Sequence, residues 1–377
     1  MNLRESTLNV LQFRKTDLIP LEPGYGRKST IERWQKEGLP KNLNGSITEY
    51  AYRQAGGTLE WPKPERATFH LNERMIPQFE EKILEIKEDS IVVRDWKGNI
   101  CEIGKEFSPE YLRNAIDFVT RRWIKCPVES REDWEDMKCR YNPDETSRIV
   151  IPTEEDFAIL RRREYFFGFH FSGPFWQLRE WLGFEKLCTM FYDDPILIGE
   201  MLDFWNYYVA TLLRRAIEKI VPDYVYISED MAYKCFSMIS PEMTRKYLLP
   251  VWKNWGEIIR NAEIPIYAID SDGFIGELIP IWIDAGINVC EPIEVAAGND
   301  ICAFRKKFGK NMAYRGGVDK REIAKGGNFI EKEIERIRPV IDDGGFIPSC
   351  DHGVPADVSW SNFVHYTKVL AKVTGWM

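Results

Sequence analysis

At 377 residues, with 44% hydrophobic, 29% charged and 13% aromatic residues, the chain has the composition of a folded protein with a large core, which excludes global disorder. Its 51 Lys and Arg against 59 Asp and Glu leave a net charge of −8, so no broad positive field exists for nucleic acid. The longest apolar runs, such as residues 264–269, fall far short of the roughly 20 residues of a membrane span. The first ten residues carry charge where a signal peptide is apolar, and a cytoplasmic location is expected. The eight cysteines are scattered without a Cys-x-x-Cys pair, which reads as reduced, mostly buried thiols.

Taken in chain order, the first β-type run is Leu18-Ile-Pro-Leu21. A less regular region follows, from about 22 to 165. Inside it, residues 83–101 alternate apolar and polar side chains around Glu-Asp-Ser and Lys-Gly-Asn turns, which predicts an antiparallel hairpin or three-stranded meander. Regular βα alternation then sets in with a strand over Phe166–Phe171, a Gly-Pro turn and a helix from about Phe175. Further strands are expected at 223–228, 264–269, 287–290, 312–316 and 345–348. Helices are expected from Ser240-Pro241 to about Ala262 and near 276–285, 299–308 and 328–342. This gives about seven parallel strands, and an eighth in the irregular region closes a TIM-type (β/α)8 barrel. No Gly-x-Gly-x-x-Gly follows the first strand, which argues against an open dinucleotide-binding sheet. The expected organisation is one barrel domain over 1–377 with an antiparallel insertion at about 22–165.

Chemistry in such a barrel collects at the C-terminal ends of the strands, and here those ends are acidic. They carry Glu229-Asp230, Asp270-Ser-Asp272-Gly273, Glu291-Pro-Ile-Glu294, Asp319 and Cys350-Asp351-His352-Gly353. So many converging carboxylates cost electrostatic energy unless protons, cations or a ligand offset it, which argues for function. The alternatives are structural. Asp270 and Asp272 could cap the next helix, Glu229 and Asp230 could pair with a barrel arginine, and His170, inside an apolar strand, could be a satisfied core histidine. Cys350 reads as a packed thiol, while His70 and His365 carry no motif. His352, after Asp351 and before a glycine, is the strongest single candidate.

From Trp123 onward the chain resembles the uroporphyrinogen decarboxylase superfamily, which holds both the haem-pathway decarboxylase and corrinoid-linked methyltransferases. The resemblance rests on Gly168-Phe-His-Phe-Ser-Gly-Pro-Phe175, Tyr192-Asp-Asp-Pro195, Ser240-Pro-Glu-Met243 with Tyr247-Leu-Leu-Pro250, Gly286-Ile-Asn-Val-Cys-Glu-Pro292, Gly316-Gly-Val-Asp-Lys320 and the run from Gly344 to Pro355. It implies a barrel with its site at the mouth, commonly in a homodimer. True decarboxylases carry a Met-Arg-Gln-Ala-Gly-Arg motif after the first strand, whereas this chain has Leu21-Glu-Pro-Gly-Tyr-Gly-Arg27. Zinc-binding methyltransferases show His-x-Cys-Gly after one strand and a Cys before Gly at a later one. Here those positions hold Asp270-x-Asp272-Gly273 and His352-Gly353, so the thiolate ligands of a thiol-activating zinc are missing.

The expected activity is transfer of a methyl group from a small O- or N-methyl substrate to a corrinoid carried by a separate binding protein, a reaction of anaerobic metabolism. The alternatives are decarboxylation of a tetrapyrrole and a non-catalytic ligand-binding barrel. Asp270, Asp272, His352, Glu229 and Glu291 are the expected catalytic groups, and Tyr25, Arg27, His170, Asp230 and Asp351 the expected substrate contacts. No tightly bound cofactor is expected; a divalent cation at Asp272 and His352 is the one metal position the sequence offers.

Overall fold

The computed structural model describes residues 2–113 and 121–377. The chain divides into two compact units. One comprises 2–68, 151–170 and 220–377; the other comprises 171–219 and the described residues of 69–150. The region expected as one insertion at 22–165 therefore contributes to both.

In the second unit, β1 (Lys82–Ile86), β2 (Ser90–Arg94), β3 (Ile100–Gly104) and β4 (Arg122–Lys125) form an antiparallel sheet in that order. The alternation read at 83–101 is thus correct, with one strand more than expected. One face buries Ile91, Val93, Cys101 and Ile103 against Leu112. Helices Pro174–Leu182 and Pro195–Lys219 bring Trp181, Trp205 and Tyr208 around Tyr141, with ring centroids 5.3 to 5.6 Å from it. Fully buried Arg148 donates to the carbonyls of Asn142, Arg74, Asn72 and Arg140 at 2.6 to 3.2 Å, a staple that ties loop to loop.

Six parallel strands follow: β5 (Gly168–Ser172), β6 (Tyr224–Ser228), β7 (Ile266–Asp270), β8 (Val289–Glu291), β9 (Ala313–Val318) and β10 (Phe346–Cys350). They neighbour one another in chain order, with helices in each connection, which is the sheet of an α/β barrel fold. All six lie where the sequence predicts them. The helix opened by Ser240 is also observed: its hydroxyl accepts from the Met243 amide, and the helical run ends at Asn261. Leu18–Leu21 is a correction. The segment joins no ladder; the Ile19 amide donates to Thr374 O, and the Leu18 carbonyl accepts from Ser6 Oγ. A parallel bridge, Gly26 to Val354, ties the following residues to the chain beyond β10, and Thr30 Oγ1 and Trp34 Nε1 donate to the Val354 and Val358 carbonyls. Among the described residues no other strand joins the parallel sheet, so the expected count of eight is not reached.

Two-residue alternation makes one face of this sheet continuous. Tyr224, Tyr226, Ile266, Ala268, Val289, Ala313 and Ile347 pack in one cluster with Val10 and Leu11 of helix Leu3–Leu11. Continuing the same parity toward the C-terminal ends gives Asp270, Glu291 and Arg315. An apolar floor thus becomes a charged layer within one residue pair per strand. Among the described residues no helix is long and apolar enough to cross a membrane.

Candidate functional site

The charged layer is set by register. Ala268 pairs with Tyr226 and Val289, and one step on, Asp270 pairs with Ser228 and Glu291. The carboxyl groups of Asp270 and Glu291 therefore project from adjacent strands on the same face, with Tyr226 of β6 beside them. Burial pushes the Asp270 carboxyl well above the usual carboxylate range; the charges of Asp272, Glu291 and Asp230 push it further, and the Tyr226 hydrogen bond opposes them. Among the described residues no lysine or arginine forms an ion pair with Asp270. A carboxyl group in that position holds its proton to higher pH than a free one, which suits it to donate.

Arg315, next on the same face, has two carboxylate partners. Its Nη2 lies 2.5 Å from Glu22, and its Nε lies 3.2 Å from Glu291 without hydrogen-bond alignment. Burial alone would lower its pKa, but the charges of Glu22 and Glu291 outweigh that and raise it. Neither Glu22 nor Arg315 was singled out from the sequence. An arginine two residues after Ala313, on the inward parity of a buried strand, was the available signal.

A second group forms beyond the strand ends. His352 Nε2 lies 3.0 Å from Asp272 Oδ2, while its Nδ1 lies 2.8 Å from Arg27 Nη2 and 2.8 Å from the Gly353 amide. Both neighbours of Nδ1 are donors only, so Nδ1 presents its lone pair and the hydrogen sits on Nε2, donated to Asp272. The segment carrying Arg27 fits here because two glycines allow it. Gly24 has φ of +108°, and a Cβ there would meet Cys350 Cβ at 2.9 Å; a Cβ on Gly353 would stand 3.2 Å from Arg27 Nε and 3.3 Å from the Tyr25 ring. Tyr25 itself is largely exposed. Neither Asp270 nor Asp272 caps the next helix, which begins at Ile279 without a side-chain cap.

The remaining expected residues divide. Asp230, with φ of 40°, donates its amide to Asp270 O and adds to the negative potential at that carboxyl. His170 meets Tyr224 hydroxyl through Nε2 at 2.9 Å and lies 5.0 Å from the Tyr226 ring; desolvation and then the charge of Arg315 lower its pKa. Asp351 is fully buried and accepts from the Val295 and Lys320 amides, with Lys320 Nζ 3.8 Å away; burial nonetheless raises it to about 6. It ties three strand-end loops together. Glu229 is a correction to the expectation that it faces the same cavity. Parity from Tyr224 and Tyr226 turns it to the opposite face, where it is fully buried and accepts from Trp252 Nε1 at 2.9 Å. Burial pushes the Cys350 thiol up to about 12, consistent with a packed thiol.

The pair Asp272 and His352 does not fit a cation. Ligation through Nε2 would need its lone pair, moving the hydrogen to Nδ1 against the Arg27 and Gly353 donors. Among the described residues no three His, Cys, Asp or Glu side chains are arranged to hold a metal ion.

No protein-family model matches the chain, and no curated protein matches it in sequence. Among solved structures it is similar to a methyltransferase from Methanosarcina mazei, with a TM-score of 0.58 at 13% identity over 99% of each chain. The likeness is one of fold. It spans both units and agrees with the parallel α/β sheet and the antiparallel sheet described above.

Proposed function

We propose that this protein is an enzyme of the uroporphyrinogen decarboxylase-like methyltransferases, which takes a methyl group from a small O- or N-methyl substrate and passes it to a corrinoid on a separate protein. The observation that carries this reading is the register that sets Asp270 beside Glu291 and Tyr226 at the C-terminal ends of parallel strands, where burial and neighbouring carboxylates raise its proton affinity. In the reaction the bond between methyl carbon and heteroatom breaks, its electron pair stays on oxygen or nitrogen, and the reduced cobalt nucleophile supplies the pair for the new bond. The leaving atom then needs a proton. Asp270 supplies it, and Tyr226 orients the carboxyl toward the substrate. His352, fixed by Arg27, orients Asp272 beside it.

The cations at the strand ends limit the substrate. Arg315 is engaged by Glu22 and Glu291, Arg27 by His352, and Lys320 by Glu294 and Asp351. A neutral methyl donor, whose leaving atom takes the Asp270 proton, suits this balance better than a polycarboxylate, which needs cations ready to pair with it. The test offers purified protein aryl methyl ethers and methylamines with reduced cobalamin, and separately offers uroporphyrinogen. Methylcobalamin formation that depends on protein is the expected result. Release of carbon dioxide from the porphyrinogen without cobalamin would replace this reading with the decarboxylase one.

A further inference from the structure

Three carboxyl groups gather at the strand ends, and two of them share a single guanidinium. Glu22, delivered by the extended N-terminal segment, and Glu291, at the end of β8, both lie within 3.2 Å of Arg315 nitrogen atoms. Asp270, opposite Glu291 in the β7–β8 register, has no cation partner among the described residues and lies beside Tyr226 instead. Two carboxylates so close are costly unless one is offset by a counter-ion or carries a proton. We propose that Arg315 is a positioning residue that assigns this proton: engaged by Glu22 and Glu291, it is withheld from Asp270, which remains the proton donor of the site. This rests on the methyltransfer reading for its purpose but not for its test.

The groups that face Asp270 come from every neighbouring element. Tyr226 stands on β6, Asp230 on the loop after it, Asp272 on the loop after β7, and Glu291 on β8. Tyr224 and His170 face Arg315 from the other side, and the Tyr224 hydroxyl, pushed by burial to about 12, offers no negative charge at neutral pH. Among the described residues Arg315 is therefore the cation paired with this layer, and its two engagements fix where the proton goes.

Infrared spectroscopy of the full chain reads protonated carboxyl groups directly, without substrate or corrinoid. The wild type at neutral pH should show a protonated-carboxyl band that disappears in Asp270→Asn. Arg315→Met, which strips Glu22 and Glu291 of their counter-ion, should gain a further band that Glu291→Gln removes, and Arg315→Lys should suppress the gain. Should Arg315→Met fail to fold, Glu291→Gln alone is decisive: it removes a like charge facing Asp270 and frees one arm of Arg315, so the Asp270 band should vanish at a lower pH than in the wild type. An Asp270-dependent band that is absent in the wild type, or unmoved by these substitutions, would overturn the assignment. Methyl transfer to cobalamin would remain separately testable, so the two failures are distinguishable.

Discussion

Asp223, buried, and Asp270, half-buried, are carboxyl groups at opposite ends of adjacent strands, and their surroundings could hardly differ more. Asp223 precedes β6 and is 2% exposed; Arg163 grips it with Nε at 3.0 Å and Nη2 at 2.9 Å, Arg4 adds a contact at 2.8 Å, and the Phe167 amide completes the set. Asp270 ends β7 with a tyrosine and three further carboxylates around it and, among the described residues, no arginine paired with it. The N-terminal end of the sheet saturates its carboxylate and gains a rigid anchor. At the C-terminal end the carboxyl is left unsaturated, which raises its proton affinity and makes it chemically useful.

This contrast predicts opposite responses to mutation. Asp223→Ala leaves Arg163 buried without its carboxylate, and breaking such a pair should cost about 3–5 kcal/mol, read as a fall in the urea midpoint. Equal stability of this variant and the wild type would remove the distinction between the two ends. Trp252→Phe deprives the outward-facing Glu229 of its indole donor and should cost about 1–3 kcal/mol of stability while leaving the rate of the chemical step unchanged. A rate loss without a stability loss would return Glu229 to the site.

The smallest effect has the most telling sign. Because folding raises the Asp270 pKa, the wild type loses stability as pH rises from the usual carboxylate range through the higher folded value, and nothing is lost below that range. Asp270→Asn cannot ionise. Its melting temperature should match the wild type at low pH and exceed it increasingly as pH rises, which thermal unfolding across pH will check. A stability deficit that grows with pH would mean that Asp270 is ionised and satisfied.

How much of this was legible beforehand follows from the physics of each element. Buried parallel strands are apolar on both faces, so β6 to β10 stand out as short apolar runs, and the acidic residues that end them mark the mouth. Leu18–Leu21 has the same apolar look but gives its backbone bonds to Thr374 and Ser6, a destination that local composition does not encode. Parity could have separated Glu229 from Asp270, because counting from Tyr226 turns Glu229 outward. The Glu22–Arg315 pair joins residues 293 positions apart, and no local pattern announces a contact at that separation. That Asp270, Asp272 and His352 stand at strand ends was visible; that Arg27 fixes the His352 tautomer was not.

The central claim, that Asp270 gives its proton to the leaving atom, is tested most directly by single-turnover methyl transfer to reduced cobalamin across pH. The substrate is the best of the aryl ethers and methylamines, and wild type and Asp270→Asn are compared at each pH. The wild-type rate should fall as pH rises through the elevated value of Asp270, and the variant should be slower by roughly 10²-fold at low pH with a flat profile and a little-changed half-saturating substrate concentration. A variant as fast as the wild type, or a wild-type rate that climbs with pH relative to the variant, would contradict the account.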